Sequence, residues 1–479
     1  MTDTAVVWFR RDLRLHDNRT LASAVERADE VLPVYVFDPR QYARSRYVDE
    51  PKTGPRRAAF LAECVGDLRG RLRARGGDLL VRRGRPERVL PALAAGHGAD
   101  AVHAGVLPGT EEWTAERAVR RALDERGVRF ERFRTHTLYH PDDLPTPVGS
   151  IPDTYTPWRK EVERASTVRD PVEAPTAVPV PDDADPGAIP STTDLGVGEA
   201  PAVDERGVLA FEGGETAALE RLREYVWEGD HLRRYKRTRN GLVGADYSSK
   251  FSAWLSAGCL SPRYVKREVD RYEAERVAND STYWLVFELL WRDFFAFQFH
   301  KHGADFFRAE GIRAGEVSKE WRRDEAAFRR WADGGTGVPF VDANMRELNA
   351  TGYMSNRGRQ NVASFLTDLL GIDWRWGAAY FESRLVDYDV ASNWGNWAYV
   401  AGVGNDSRDD YFDVLSQAER YDPDAEYVTR WLPELDGLPP EFAHRPWRMG
   451  EARGARAGVE LGVDYPEPMV DVEDAYRRL

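Results

Sequence analysis

Two cysteines, Cys64 and Cys259, are all that the 479 residues contain. They lie far apart in sequence, so no disulfide framework is expected. No apolar run approaches the roughly 18 residues of a membrane-spanning helix. The N-terminal MTDTAVVWFRRDLR enters strand-like sequence at once and carries no signal-peptide pattern. The expectation is a soluble cytoplasmic protein without a membrane partner. Histidine is scarce, at nine residues. The HxH pair His300 and His302 comes without the Cys or Asp ligands that a metal site needs, so no metal is expected. Lysine is thin beside arginine, and the net charge is −13. That argues against a protein that coats nucleic acid, while leaving room for one local basic surface. The acidic, Ala- and Asp-rich composition suits a salt-adapted cytoplasm. The GxGxxG of a dinucleotide site is absent after the first strand-like segment.

What is present divides into three parts. The chain is too long for one core, so two or three domains are expected. Over 1–135, short apolar runs at 5–9, 31–37, 78–82, 100–105 and 128–133 alternate with amphipathic stretches near 19–28, 56–75, 86–95 and 111–126. That rhythm predicts a Rossmann-like α/β domain with a parallel sheet covered on both faces. The polar loop Arg10 to Asn18, RRDLRLHDN, follows the first strand, where such sheets bind ligands or dock another domain. A surface loop with internal ion pairs is the alternative. Over 136–214 the periodicity fades into Pro, Asp, Ala and Gly, which predicts a long linker wrapping the surface. From 215 to 479 the pattern is helical to about residue 435, with an irregular tail. YWLVFELLWRDFFAFQFHKHG reads as a helix buried on most sides, and EVSKEWRRDEAAFRRWADGGTG as an amphipathic one ending on glycines.

The region Val338 to Asn405 mixes groups that a plain core keeps apart. Trp374, Trp376, Trp394 and Trp397 stand among Arg346, Arg357 and Arg359, with Asp387, Asp389 and Asn393 close behind. Burying such groups together is costly unless each meets a partner. A large, planar, polar ligand supplies that partner economically. For Asp387 and Asp389 a pair of helix N-caps is the plainer alternative. The run RRYKRTR at 233–239, with Lys250, is a candidate for tracking nucleic-acid phosphates, and a solvated helix face is its ordinary reading.

Five stretches, VVWFRRDLRLHDN, FSAWLSAGCLSPR, ELLWRDFF, TGVPFVDANMRELNATGYMSNRGRQNVASFL and DYDVASNWGNW, resemble the photolyase/cryptochrome family, in that family's order and over nearly the whole chain. NWAYVAGVGNDSRDDYF, QAERYDPDAEYVTRWLPEL, Gln360 and Tyr399 resemble its DASH-type branch. The resemblance implies FAD in the helical domain, reduced as FADH⁻ in its active form. Tyr235, Ser248, Ser249, Lys250, Phe251, Ser252, Glu288, Arg292, Asn356, Arg359, Asp387, Asp389 and Asn393 are implied to contact it. The Ser-rich turn suits a pyrophosphate, and Asn393 would face flavin N5. A substrate cavity is implied at Glu288, Trp291, Asn356, Arg357, Gln360 and Tyr399. Trp397, Trp374 and Trp331 match an electron-transfer chain from flavin to surface. A second chromophore, 5,10-methenyltetrahydrofolate or a deazaflavin, is implied near the α/β domain, with Glu111 and Glu112 as candidate contacts.

The expected activity is light-driven splitting of cyclobutane pyrimidine dimers by a monomer. Gln360 and Tyr399 should widen the pocket and favour single-stranded or unpaired DNA, where flipping the lesion costs less. The alternative is a blue-light receptor with little or no repair activity.

Overall fold

The computed structural model describes residues 3–316, 319–405, 411–450, 454, 456 and 458–478. The DSRDD of the NWAYVAGVGNDSRDDYF motif, 406–410, and part of PWRMGEARGARAG lie outside them.

Five parallel strands form one sheet in the order β3-β2-β1-β4-β5. They are β1 Thr4–Phe9, β2 Glu30–Phe37, β3 Leu80–Arg83, β4 Ala101–Gly105 and β5 Arg129–Phe133. Helices α1 Arg19–Arg27, α2 Pro55–Arg73, α3 Pro86–Gly96 and α4 Thr110–Asp124 make the crossovers. β1 is buried at every position and β2 at nearly every one, whereas edge strand β5 is not. That is the pattern of a sheet covered on both faces. Pro33 sits in β2 opposite Val7, and β3 pairs with β2 only from Val34 onward. The missing amide hydrogen of Pro33 therefore costs the β2–β3 ladder nothing.

The segment after β5 is pinned despite its composition. It holds a helix, α5 Tyr155–Ala165, and then follows the sheet by single backbone bonds. The amides of Asp17, Val31 and Val81 donate to the carbonyls of Val172, Pro179 and Pro186 at 2.7–2.8 Å. Val178 is fully buried.

The helical half begins with α6 Glu215–Arg223, α7 Tyr235–Thr238, α8 Ser252–Ala257, α9 Pro262–Glu275 and the long α10 Asp280–His302. It continues with α11 Glu325–Ala332, α12 Pro339–Thr351, α13 Asn356–Ser364, α14 Trp374–Arg384 and α15 Val390–Val400. Short helices at Val414–Tyr421, Glu426–Trp431, Pro440–His444 and Val472–Arg478 follow, so the tail is less irregular than its sequence suggests. The amphipathic helix expected over 316–337 is only α11, because Asp324 caps it by accepting from Ala327 N at 3.0 Å.

The polar loop after β1 docks the two halves. Arg14 donates to Gly258 O at 2.8 Å, and Glu215 accepts from Leu15 N at 2.7 Å and His16 N at 3.1 Å. Arg263 forks onto Asp17 at 2.6 and 2.9 Å. Gly258 has φ +76°, and a Cβ there would meet Arg11 O at 1.9 Å, so only glycine fits this crossing.

Candidate functional site

Helices α13, α14 and α15 and the turn between the last two line a pocket, open on one side to solvent, with about 550 Å³ of space including its mouth. Asn356, Arg359, Gln360, Asp387, Asp389, Asn393 and Trp397 are all in its wall, with Phe381 and Leu385 as apolar neighbours. Arg359 donates to both oxygens of Asp387 at 3.0 and 2.8 Å and through Nε to Met354 O at 2.9 Å. Burial works against the guanidinium's charge, but Asp387 and then Tyr353 outweigh it, and its pKa is raised.

Asp389 caps α15 by accepting from Ser392 N at 2.8 Å, and its other oxygen lies 3.5 Å from His136 Nε2. The ligand and N-cap readings of the acidic pair therefore both hold in part: Asp389 caps, Asp387 pairs with Arg359, and both face the cavity. Burial pushes His136 down to about 4, helped by Arg292. Burial also opposes the charge of Asp389, yet its contacts with His136, the field of Arg292 and the Ser392 amide hold it well below the usual carboxylate range. Since His136 is neutral at pH 7, Arg292 and the amide are the persistent stabilisers there.

Asn393 donates to Ala378 O at 2.9 Å. Gln360 Oε1 is buried in the wall with no hydrogen-bond partner among the described residues. Such an oxygen calls for a donor, and the wall offers acceptors, a guanidinium and aromatic faces side by side. That set fits a flavin.

Other expected residues fall outside this wall. Arg292 is turned toward the crossover, donating to His136 O and to Leu255 O at 3.2 Å. It ties α10 to α8 and the 136 segment. Ser248 to Ser252 form the turn into α8, with Lys250 at φ +62°, a left-handed conformation that is rare for a side-chain-bearing residue. Lys250 is 2% exposed and donates to Ser248 Oγ at 3.1 Å. It cannot reach phosphates at the surface, and burial pushes its pKa well down. Phe251 and Tyr235 are buried in the large hydrophobic core.

A second group stands on α10 and the end of α15. The Trp291 and Tyr399 rings meet edge to face, 6.1 Å apart at 88°. Tyr155 lies flat on Trp291 at 3.6 Å and 8°, so one face of that indole is already covered. Glu288 accepts from Arg239 at 2.6 Å, and burial raises its pKa. Arg357 bonds Asn240 at 3.4 Å and lies over Tyr421 at 4.7 Å. Much of the basic run is paired: Arg233 with Asp230, Lys236 with Asp280 and Arg239 with Glu288.

The expected chain tryptophans are all buried. Trp397 lies across α14 at Gly377, where a Cβ would meet its ring at 2.2 Å, three residues beyond Trp374. Trp374 and Trp321 each donate to the carbonyl of Ala309 at 3.1 Å. Trp321 is half-buried, while Trp331 is 0% exposed and bonded to Val362 O. Trp321 therefore offers a half-exposed position beside Trp374, whereas Trp331 is enclosed against Trp397, with ring centroids 6.1 Å apart. Reading 316–337 as one helix hid this, since Trp321 lies ahead of the Asp324 cap. Trp321→Phe should slow flavin photoreduction severalfold and Trp331→Phe much less, followed as bleaching of oxidised flavin under blue light with an external reductant. The reverse ranking favours Trp331.

Glu111 is an exposed partner of Lys52, and the Glu112 carboxylate folds back over Gly109.

Residues 5–180 match the family model described as DNA photolyase, and 284–479 the one described as FAD binding domain of DNA photolyase. The chain is similar to a protein named Cryptochrome DASH from Natronomonas pharaonis, 66% identical with both chains covered fully. Another of that name, from Gloeobacter violaceus, is 54% identical over 98% of this chain and 94% of its own. Among solved structures, the Synechocystis cryptochrome has a TM-score of 0.96 at 48% identity, covering 99% of this chain and 98% of its own. The class III photolyase of Agrobacterium tumefaciens has 0.86 at 31%, covering 100% and 96%.

Proposed function

The chain belongs to the photolyase/cryptochrome family, with DASH-type relatives, and from that premise we propose that it splits cyclobutane pyrimidine dimers under light, in single-stranded or unpaired DNA. FAD, reduced and excited by light, supplies the electron that this chemistry requires. Arg359 with Asp387, Asp389, Asn393, Asn356 and Gln360 would hold the flavin, and the turn at Ser248 to Ser252 its phosphates.

The observation that carries the preference for single strands is the right-angled corner of Trp291 and Tyr399. Two parallel rings grip a flat lesion from both sides. A corner grips it from one side, and Tyr155 already takes the other face of Trp291. Stacking on one ring returns about 1–3 kcal/mol per base. That is comparable to the few kcal/mol needed to extrude a base pair from a duplex, so a lesion that is already unpaired is favoured. Glu288, with its raised pKa, can share a proton with a pyrimidine edge while Arg239 fixes its position.

The test is light-dependent splitting of a thymine dimer by the reduced protein, in single strands and duplexes side by side. Splitting mainly in single strands is expected. Trp291→Ala should weaken substrate binding by the equivalent of about 1–3 kcal/mol, and Glu288→Ala should lower the splitting yield. Intact repair in both variants would overturn the pocket assignment. No splitting of either substrate by flavin-loaded, photoreducible protein would point to a light receptor.

A further inference from the structure

Beyond Trp291, α10 carries a half-exposed aromatic stripe that nothing above uses. Trp284, Phe287 and Trp291 fall on one helix face at spacings of three and four residues, and all three are only half-buried. The stripe is continuous. Trp284 and Phe287 have ring centroids 4.4 Å apart, and Phe287 meets Tyr155 at 5.3 Å, which in turn lies on Trp291. From Trp284 to Trp291 it runs about 10 Å along the helix, by the rise per residue. Tyr283 beside it is 39% exposed, one of few large apolar side chains so open.

Cations flank every ring of the outer part. Lys236 Nζ and Arg239 Cζ lie 5.3 and 4.7 Å from the Trp284 centroid, and Arg159 Cζ lies 5.4 Å from that of Phe287. Arg237 is exposed next to them, and within the described residues neither it nor Arg234 has a carboxylate partner. In a chain of net charge −13, this strip of rings and cations is the arrangement that binds a single strand, with bases on rings and phosphates on cations.

We infer that Trp284 and Phe287 form a stacking platform for the base next to the lesion in single-stranded DNA, with Arg237, a cation of this strip that has no carboxylate partner among the described residues, holding its phosphate. The inference rests on the dimer-splitting reading and extends its substrate beyond the lesion. It also adds a reason for the strand preference. In a duplex the neighbouring base is paired and stacked within its own helix, so the platform has nothing to take.

The experiment compares an isolated dimer dinucleotide, the same dimer inside a short oligothymidylate, and undamaged oligothymidylate. The Trp284→Ala, Phe287→Ala double variant should bind both oligonucleotides about tenfold or more weakly, as loss of stacked bases predicts. Splitting of the dinucleotide should stay at the wild-type level, and Trp284→Phe should recover part of the affinity. Unchanged oligonucleotide binding would overturn the platform, and so would an equal loss on dinucleotide and oligonucleotide, which would mean that the rings only support Trp291. If the wild type binds oligothymidylate through these rings yet splits no dimer, the platform stands and the repair reading falls.

Discussion

Arg359→Met is expected to yield protein without flavin and with sharply reduced stability. Arg359 holds both oxygens of Asp387, whose side chain is only 2% exposed. Removing the guanidinium leaves a buried carboxylate with no counter-charge, and breaking such a pair costs about 3–5 kcal/mol. The same arginine closes one wall of the cavity, so loss of cofactor should accompany loss of stability. Visible flavin absorbance per protein and urea denaturation measure the two effects separately. Arg359→Met with Asp387→Leu decides between them. Removing both charges should restore much of the stability, but not the flavin. If the single variant retains its flavin, the cavity is not the cofactor site.

The parts of this architecture that depend on local pattern were legible in the chain. All five strands and their crossover helices follow from apolar runs alternating with amphipathic stretches, because burial on both faces leaves that rhythm in the residues themselves. The crowding of Arg359, Asp387, Asp389 and Asn393 was legible for a related reason: such groups are costly to bury singly, so their company implies partners. Rotation about a helix axis left no such trace. Nothing in the order of residues says that Arg292 turns toward His136 and Leu255, or that Lys250 lies under the surface when its neighbours in the basic run do not.

The placement of the tryptophans shows the same limit from another side. Trp321 and Trp331 are ten positions apart in one amphipathic-looking stretch, and periodicity does not say where the helix starts. The Asp324 cap does, and only the tertiary fold brings Trp321 and Trp374 to the same carbonyl. Tyr155 is a third case. It enters from the Pro-rich crossover, far in sequence from α10, and its stack on Trp291 redefines how much of that ring a substrate can use.

Glu347 was not singled out in the sequence, and it carries the second large effect. Glu347→Gln should flatten the pH dependence of stability. The carboxylate is 1% exposed, accepts from Tyr427 Oη at 2.6 Å, and has Oε1 buried without a partner among the described residues. Burial pushes it up to about 7, although Tyr427, Lys250 and Arg359 pull the other way. The folded protein therefore binds this proton at pH values where the unfolded chain, with an ordinary carboxyl near 4.5, has released it. Stability falls with rising pH wherever the folded state holds more protons. Its contribution is thus full below about pH 4.5, declines through the window up to about 7 and is spent above it. Asp293, also pushed up to about 7 by burial, adds to the same decline, so the comparison must be variant against wild type. Glutamine keeps an acceptor for Tyr427 and places a neutral amide at the other position. Between pH 5 and pH 8 the wild type should lose about 2–3 kcal/mol more than Glu347→Gln, at about 1.4 kcal/mol per pKa unit. Urea denaturation at the two pH values reads this directly. Parallel declines in the two proteins would show that Glu347 is already ionised in the fold, held by Lys250 and Arg359.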